Sequence, residues 1–249
     1  MTRNIAEEII GARRRDRHQD DRWFDFRTGA RYLLETRGLS APLDYIRYNL
    51  NSRIVVDIGA GTTNAVYELS QAPYFDDFEI IATVLTRPNL SRIENHWKNR
   101  LNTYDDSKIV STSAEKMRGF SENSIALVLA IHSISYSSDP GTALFRINEI
   151  LEPGGIIKAV FRHPELDGYG PPFEKTHDDF SDTLHAMGYE LAIEYVGHNL
   201  FALPFGVLIT AMKPSGDEDA DFNNMQMIIS SNTSEEDTIE LTRRLRSLG

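Results

Sequence analysis

The sequence has no cysteine, which excludes disulfides, thiolate metal sites and a thiol nucleophile together, so packing alone must hold the fold. It has few bases relative to acids: 26 Lys and Arg against 37 Asp and Glu give a formal net charge of -11. Such a surface repels phosphate backbones and anionic lipid on average, and no nucleic-acid partner is expected. Long apolar runs are also missing. The stretches Ser124 to Ile131 and Gly155 to Phe161 fall far short of the roughly 20 residues of a membrane span. Near the N-terminus stand acids and the run Arg13-Arg14-Arg15, where a signal peptide would place an apolar stretch. A soluble, cytoplasmic chain with no membrane association is expected.

What is present is one core's worth of apolar residues: 41% of 249 residues suit a single catalytic-size domain with extensions. Residues 1–50 read as a helical extension with an aromatic cluster at Trp23, Phe24 and Phe26. Its apolar spacing is mixed three and four, and Gly38 is a helix stop. Interleaved Arg and Asp side chains suit a solvated face, and the alternatives for the segment are a lid or the contact of a homodimer.

From Arg53 the pattern becomes strand, turn, helix, repeated. "RIVVDIGAG", "FEIIATVLT", "SKIVSTSAE", "IALVLAIHS" and "IIKAVFRH" read as five buried strands. Between them "TTNAVYELSQA", "NLSRIENHWKNRLNTY" and "GTALFRINEILEPGG" read as helices, the last stopped by Pro153-Gly154-Gly155. Two further strands lie in "GYELAIEYVG" and "FALPFGVLITAMKP", with no long helix between them, so they should pair antiparallel at an edge. The expected fold is a doubly wound α/β domain over 51–213, with a mostly parallel seven-stranded sheet covered on both faces. Residues 214–249 read as an acidic linker followed by a short helix from a capping box at Ser234 to Asp237.

The informative stretch is Val55-Val56-Asp57-Ile58-Gly59-Ala60-Gly61. In an open parallel sheet the ligand sits beyond the carboxyl ends of the strands, and glycines let the first turn approach it closely. An acid directly before the glycines suits a cationic amine, whereas a pyrophosphate wants bare N–H groups. A nicotinamide fingerprint would require glycine at position 64, where Asn64 stands.

"VVDIGAGT" resembles the first motif of the class I S-adenosylmethionine-dependent methyltransferases. "SAEKMRGFSENSIALVLAIHSI" is similar to that family's third-to-fourth strand region, and "INEILEPGGII" to its turn before the fifth strand. The resemblance covers roughly residues 50 to 213 in family order. It implies an S-adenosylmethionine cofactor, with Asp57 near its amino group and Gly59, Ala60 and Gly61 beneath its methionine part. It also implies Ala114 and Glu115 beside the adenine, and Ile131 and His132 along the methyl-transfer face. Where the family carries a ribose-gripping acid after the second strand, this sequence offers Leu85 and Thr86, so Thr86 supplies at best one hydroxyl.

Methyl transfer to a small-molecule acceptor is the function expected from this resemblance, and a fold-retaining scaffold with weakened cofactor binding is the alternative. Because the sulfonium is already activated, the protein mainly aligns a nucleophile and excludes water. His132 and Tyr136, just after the fourth strand, are the candidate catalytic groups, either as base or acceptor-orienting side chains or as structural ones. His163 and Glu165 lack further acids at ligand spacing, so no catalytic metal is expected.

Overall fold

The alternation of apolar runs and turns folds in the computed structural model into seven strands and the helices that cover them. Described are residues 32–33, 36–60, 64–84, 108–134, 137, 139–162, 177–197 and 204–231. In chain order these give α1 (Ser40–Asn49), β1 (Ile54–Asp57), α2 (Asn64–Ser70), β2 (Glu79–Val84), β3 (Ile109–Ser111) and β4 (Ile125–Ile131). They continue with α3 (Pro140–Ile150), β5 (Leu151–Arg162), α4 (His177–Ala186), β6 (Glu190–Gly197), β7 (Pro204–Met212) and α5 (Glu218–Ser230). The sheet order is β3-β2-β1-β4-β5-β7-β6. Neighbours from β3 to β5 are parallel, and β7 runs antiparallel to both β5 and β6. The expected antiparallel pair is therefore present, with β7 inserted between β5 and the edge strand. The order reverses between β1 and β4, which makes their carboxyl ends the switch point where ligands bind in such sheets.

Burial on both faces explains the unbroken apolar strands. Val55, Leu127, Leu129, Ile131 and Val160 face one core, closed by Leu39, Leu43 and Ile46 around α1, by Leu69 of α2 and by Met225 and Ile228 of α5. Val56, Val128, Ala130, Ile157 and Ile209 face the other, closed by Leu144 and Ile147 of α3 and Phe180 and Leu184 of α4. Each such fully buried side chain contributes about 1.5–3 kcal/mol. Among the described residues no helix is long and apolar enough to cross a membrane.

Three boundaries differ from the sequence reading. Residues 39–50 do not belong to a separate extension: Leu39, Leu43 and Ile46 are fully buried in the domain core. The helix stop at Gly38 does form, with Arg37 and Gly38 both at positive φ and the Gly38 amide donating to the Leu33 carbonyl at 2.8 Å. Pro153-Gly154-Gly155 is not the turn after a helix but lies within β5, which starts at Leu151 and shifts register against β4 between Ile125 and Leu127. Lys213 explains this, because its backbone exchanges hydrogen bonds with Gly154 and Gly155 and keeps the irregular stretch in the sheet.

The third correction concerns the acidic stretch after Pro214, read as a linker. Residues 218–230 form α5, capped by the Asp217 side chain, which accepts from the Ala220 amide at 3.1 Å. Glu218, Asp219 and Asp221 in the first turn complement the helix dipole, so the acidity that resembled a linker is a helix start. Asp221 also turns inward and accepts from the Ser215 amide at 2.8 Å. The aromatic cluster at Trp23, Phe24 and Phe26, the helix read in "NLSRIENHWKNRLNTY" and the one after Ser234 lie outside the described residues.

Candidate cofactor site

Asp57 closes β1 and is fully buried, paired in register with Ala82 of β2 and Leu129 of β4. The chain then leaves the sheet through Ile58, whose amide still donates to the Leu129 carbonyl at 2.8 Å. At Gly59 it turns with φ +67, a left-handed conformation that glycine adopts without the penalty of a side chain. A Cβ there would stand 2.9 Å from the Cβ of Ser133. The turn is thus packed directly on the first residues after β4.

A residue that sequence reasoning missed holds this turn from the other side. Thr83 of β2 is buried, and its hydroxyl accepts from the Gly59 amide at 3.1 Å while its carbonyl accepts from the Ala60 amide at 3.0 Å. Both N–H groups are therefore committed within the protein, and neither is free for a phosphate. That fits the cationic ligand suggested by the acid before the glycines better than a pyrophosphate. The only signal for Thr83 in the sequence was a hydroxyl inside an otherwise apolar strand.

Beyond β4, His132 has φ +51, and its amide donates to the Val160 carbonyl of β5 at 2.9 Å. A left-handed non-glycine residue costs about 1–2 kcal/mol, and such strain concentrates at functional turns. Here it lets the chain keep its last sheet bond and still pass Ser133 beneath Gly59. Ser133 was also missed; its Oγ is buried and has no hydrogen-bond partner among the described residues. The His132 ring is nearly enclosed, and Ile131 is 1% exposed within the core beside Val160. Ile131, expected along the transfer face, is as buried as Asp57 and Ala60.

The loop after β3 forms the neighbouring wall. The Thr112 amide donates to the Val84 carbonyl, and the Thr112 hydroxyl accepts from the Arg118 amide at 2.9 Å, which closes a turn around Ser113–Met117. Ala114 and Met117 from this turn are buried on the second face. The Glu115 carboxylate accepts the Ser137 hydroxyl at 2.6 Å, joining this loop to the one after β4. The structure therefore brings Asp57, Gly59, Ala60, Thr83 and His132–Ser133 together at the switch point, with Ala114 and Glu115 on the adjoining loop. Gly61, Leu85, Thr86, Tyr136, His163 and Glu165 lie outside the described residues. Among the described residues no cluster of three or more potential metal ligands occurs.

One buried cation stands in the same row of the sheet. Register places Asp57, Leu129 and Lys158 side by side on β1, β4 and β5. Lys158 is fully buried, and its ammonium donates to the carbonyls of Thr36 at 2.6 Å and Gly38 at 3.0 Å. It thereby caps the helical turn that precedes α1, a role no spacing rule reveals.

Comparison with known proteins agrees with this geometry. A family model described as a methyltransferase domain matches residues 56–159. No curated protein matches the chain in sequence. Among solved structures, a 1,6-didemethyltoxoflavin-N1-methyltransferase from Burkholderia thailandensis superposes with a TM-score of 0.54 at 18% identity, covering 84% of this chain and 89% of that one. An S-adenosylmethionine-dependent methyltransferase from Aquifex aeolicus gives 0.52 at 16% identity, covering 70% and 91%. The [4+2]-cyclase SpnF gives 0.53 at 16% identity, covering 72% and 80%. Residues 56–159 thus match a methyltransferase domain, and the sheet order around the turn after β1 is the fold of S-adenosylmethionine-dependent methyltransferases of known structure.

Proposed function

We propose that this chain is an active enzyme that transfers the methyl group of S-adenosylmethionine to a small-molecule acceptor. The observation that carries the reading is the turn after β1: Gly59, tied to Thr83 and packed on Ser133, with its two N–H groups committed internally and a carboxylate at its root. Such a turn favours a ligand bearing an amine over one bearing a diphosphate. The cofactor, when bound, supplies a methyl group already activated on a sulfonium.

The chain's own residues then bind, orient and shield. In this reading the Asp57 carboxyl, at the root of the turn, is the group that favours the cofactor's cationic amine. Ala114 and its loop contribute an apolar wall for the adenine, and Thr86 one hydroxyl for the ribose. His132, whose amide bonds to Val160 of β5, is the group that in this reading orients an acceptor or accepts its proton. Burial around it excludes water from the transfer. The small-molecule acceptor is supported by the net charge of -11, which disfavours nucleic acid.

A second reading has its own support. SpnF, which shares the fold, is a cyclase, and Leu85 and Thr86 cannot supply a charged bidentate grip on a ribose. One experiment separates the two: incubation of the purified chain with methyl-labelled S-adenosylmethionine and libraries of small-molecule acceptors. Transfer of label that Gly59→Val abolishes supports the enzyme. Binding of S-adenosylhomocysteine with no transfer to any acceptor class supports the fold-retaining binding protein.

A further inference from the structure

We infer that Glu115 is a positioning residue that fastens the segment leaving β4, and so sets His132 against the cofactor turn, rather than a ligand of the adenine. The inference rests on the methyltransferase reading only for the use to which that alignment is put.

The segment from His132 to Asp139 links β4 to α3. Its near end is pinned twice, by the His132 amide on the Val160 carbonyl and by Ser133 under Gly59. Its far end turns tightly, with the Ser137 amide donating to the Ile134 carbonyl at 3.0 Å. There Glu115 Oε1 accepts the Ser137 hydroxyl at 2.6 Å, a length typical of a hydroxyl donating to an ionised carboxylate. The same oxygen faces the Asp139 amide at a longer 3.5 Å. Ser137 is buried, so water competes poorly for this bond. Immediately beyond, the Asp139 side chain accepts from the Thr142 amide at 3.1 Å and the Thr142 hydroxyl at 2.8 Å, and thereby starts α3.

The carboxylate of one loop therefore fixes where the next loop joins its helix. Because α3 is packed into the core through Leu144 and Ile147, the tie holds Ser137 where the chain approaches that helix, while the two contacts at His132 and Ser133 hold the near end. Oε1, bonded to the Ser137 hydroxyl and facing the Asp139 amide, is committed to this junction within the protein. Cutting the tie should loosen the segment and shift His132 while leaving the glycine turn, held independently by Thr83, in place.

The test compares Glu115→Ala, Glu115→Gln and Ser137→Ala in the full chain. Three quantities are measured: amide hydrogen exchange at residues 133–139, the imidazole NMR resonances of His132 assigned with His132→Gln, and the dissociation constant for S-adenosylhomocysteine. The expected result is exchange at Ser137 and Asp139 faster by about 10-fold in Glu115→Ala and Ser137→Ala, with a moved His132 resonance. Glu115→Gln, which keeps an accepting oxygen, should restore most of both, and ligand affinity should change by less than about 3-fold. Affinity weakened by about 10-fold or more with the loop and His132 unchanged overturns the inference and makes Glu115 an adenine ligand. No change in exchange or resonance also overturns it. If Glu115→Ala does not fold, Ser137→Ala and Glu115→Gln supply the same readings. If the wild type binds no S-adenosylhomocysteine, the methyltransferase reading fails, while exchange and the His132 resonance still decide the role of Glu115.

Discussion

Replacing Gly59 by alanine tests the turn at its tightest point. At φ +67 a non-glycine residue costs about 1–2 kcal/mol relative to the right-handed region. The added methyl would also stand 2.9 Å from the Ser133 Cβ, closer than side chains approach, and both atoms belong to short, rigid groups. Forcing one extra carbon into a packed site typically costs about 1–3 kcal/mol. Gly59→Ala should therefore destabilise the domain or its ligand site by about 2–5 kcal/mol, divided between global stability and loop displacement. Urea denaturation measures the first share and calorimetric titration with S-adenosylhomocysteine the second. The contact makes a further demand: in a Ser133→Gly background, which removes the opposing Cβ, the cost of Gly59→Ala should fall by about 1–3 kcal/mol and leave the backbone share. If Gly59→Ala retains wild-type stability and affinity, or if Ser133→Gly relieves nothing, the described packing of the turn is wrong.

Other perturbations follow from the same structure. Lys158→Met leaves the carbonyls of Thr36 and Gly38 without their donor while relieving a buried charge, and a net loss of about 1–3 kcal/mol is expected by urea denaturation; unchanged or higher stability would contradict the capping role. Burial, helped by the nearby Asp221 and Glu152 carboxylates, pushes the Tyr45 phenol from 10.0 up to about 12, and burial raises Tyr189 further still. The fold thus favours the neutral phenols: their contribution is complete below pH 10, where the unfolded side chains titrate, and is lost as pH rises toward and through the folded values. The urea midpoint should fall across that window, and less steeply in Tyr45→Phe; equal slopes would refute the assignment. Asp217→Ala removes the cap of α5 and should cost about 1 kcal/mol, with faster amide exchange over residues 218–222; exchange unchanged from wild type would show that the cap is idle.

Much of this architecture was legible because strands buried on both faces cannot be written without runs such as "IALVLAI" and "IIKAVF", and the turns between them need glycine. The cofactor turn was legible for the same reason, since close backbone approach restricts residue choice at Gly59. What holds that turn was not. Thr83 and Ser133 act on it across a distance in sequence, as the separate Glu115–Ser137 tie acts on the next loop, and a lone hydroxyl in a strand or loop carries no periodic signal. Lys158 was hidden in the strand "IIKAVF", where a buried lysine makes sense only once the Thr36 and Gly38 carbonyls lie against it. The acidic stretch after Pro214 misled by composition: its charges sit in the first turn of α5, while Met225 and Ile228 face the core.

The central claim, that the switch point between β1 and β4 binds S-adenosylmethionine, is tested most directly by calorimetric titration of the wild-type chain with S-adenosylhomocysteine, with amide exchange recorded with and without ligand. The account predicts saturable binding with a dissociation constant on the order of 10–100 μM, or about -5.5 to -7 kcal/mol, because Leu85 and Thr86 replace a charged ribose grip. Protection should appear at Ile58–Ala60 and across the loop from Ser113 to Glu115. Absence of binding at millimolar ligand, or protection elsewhere in the chain, would contradict it.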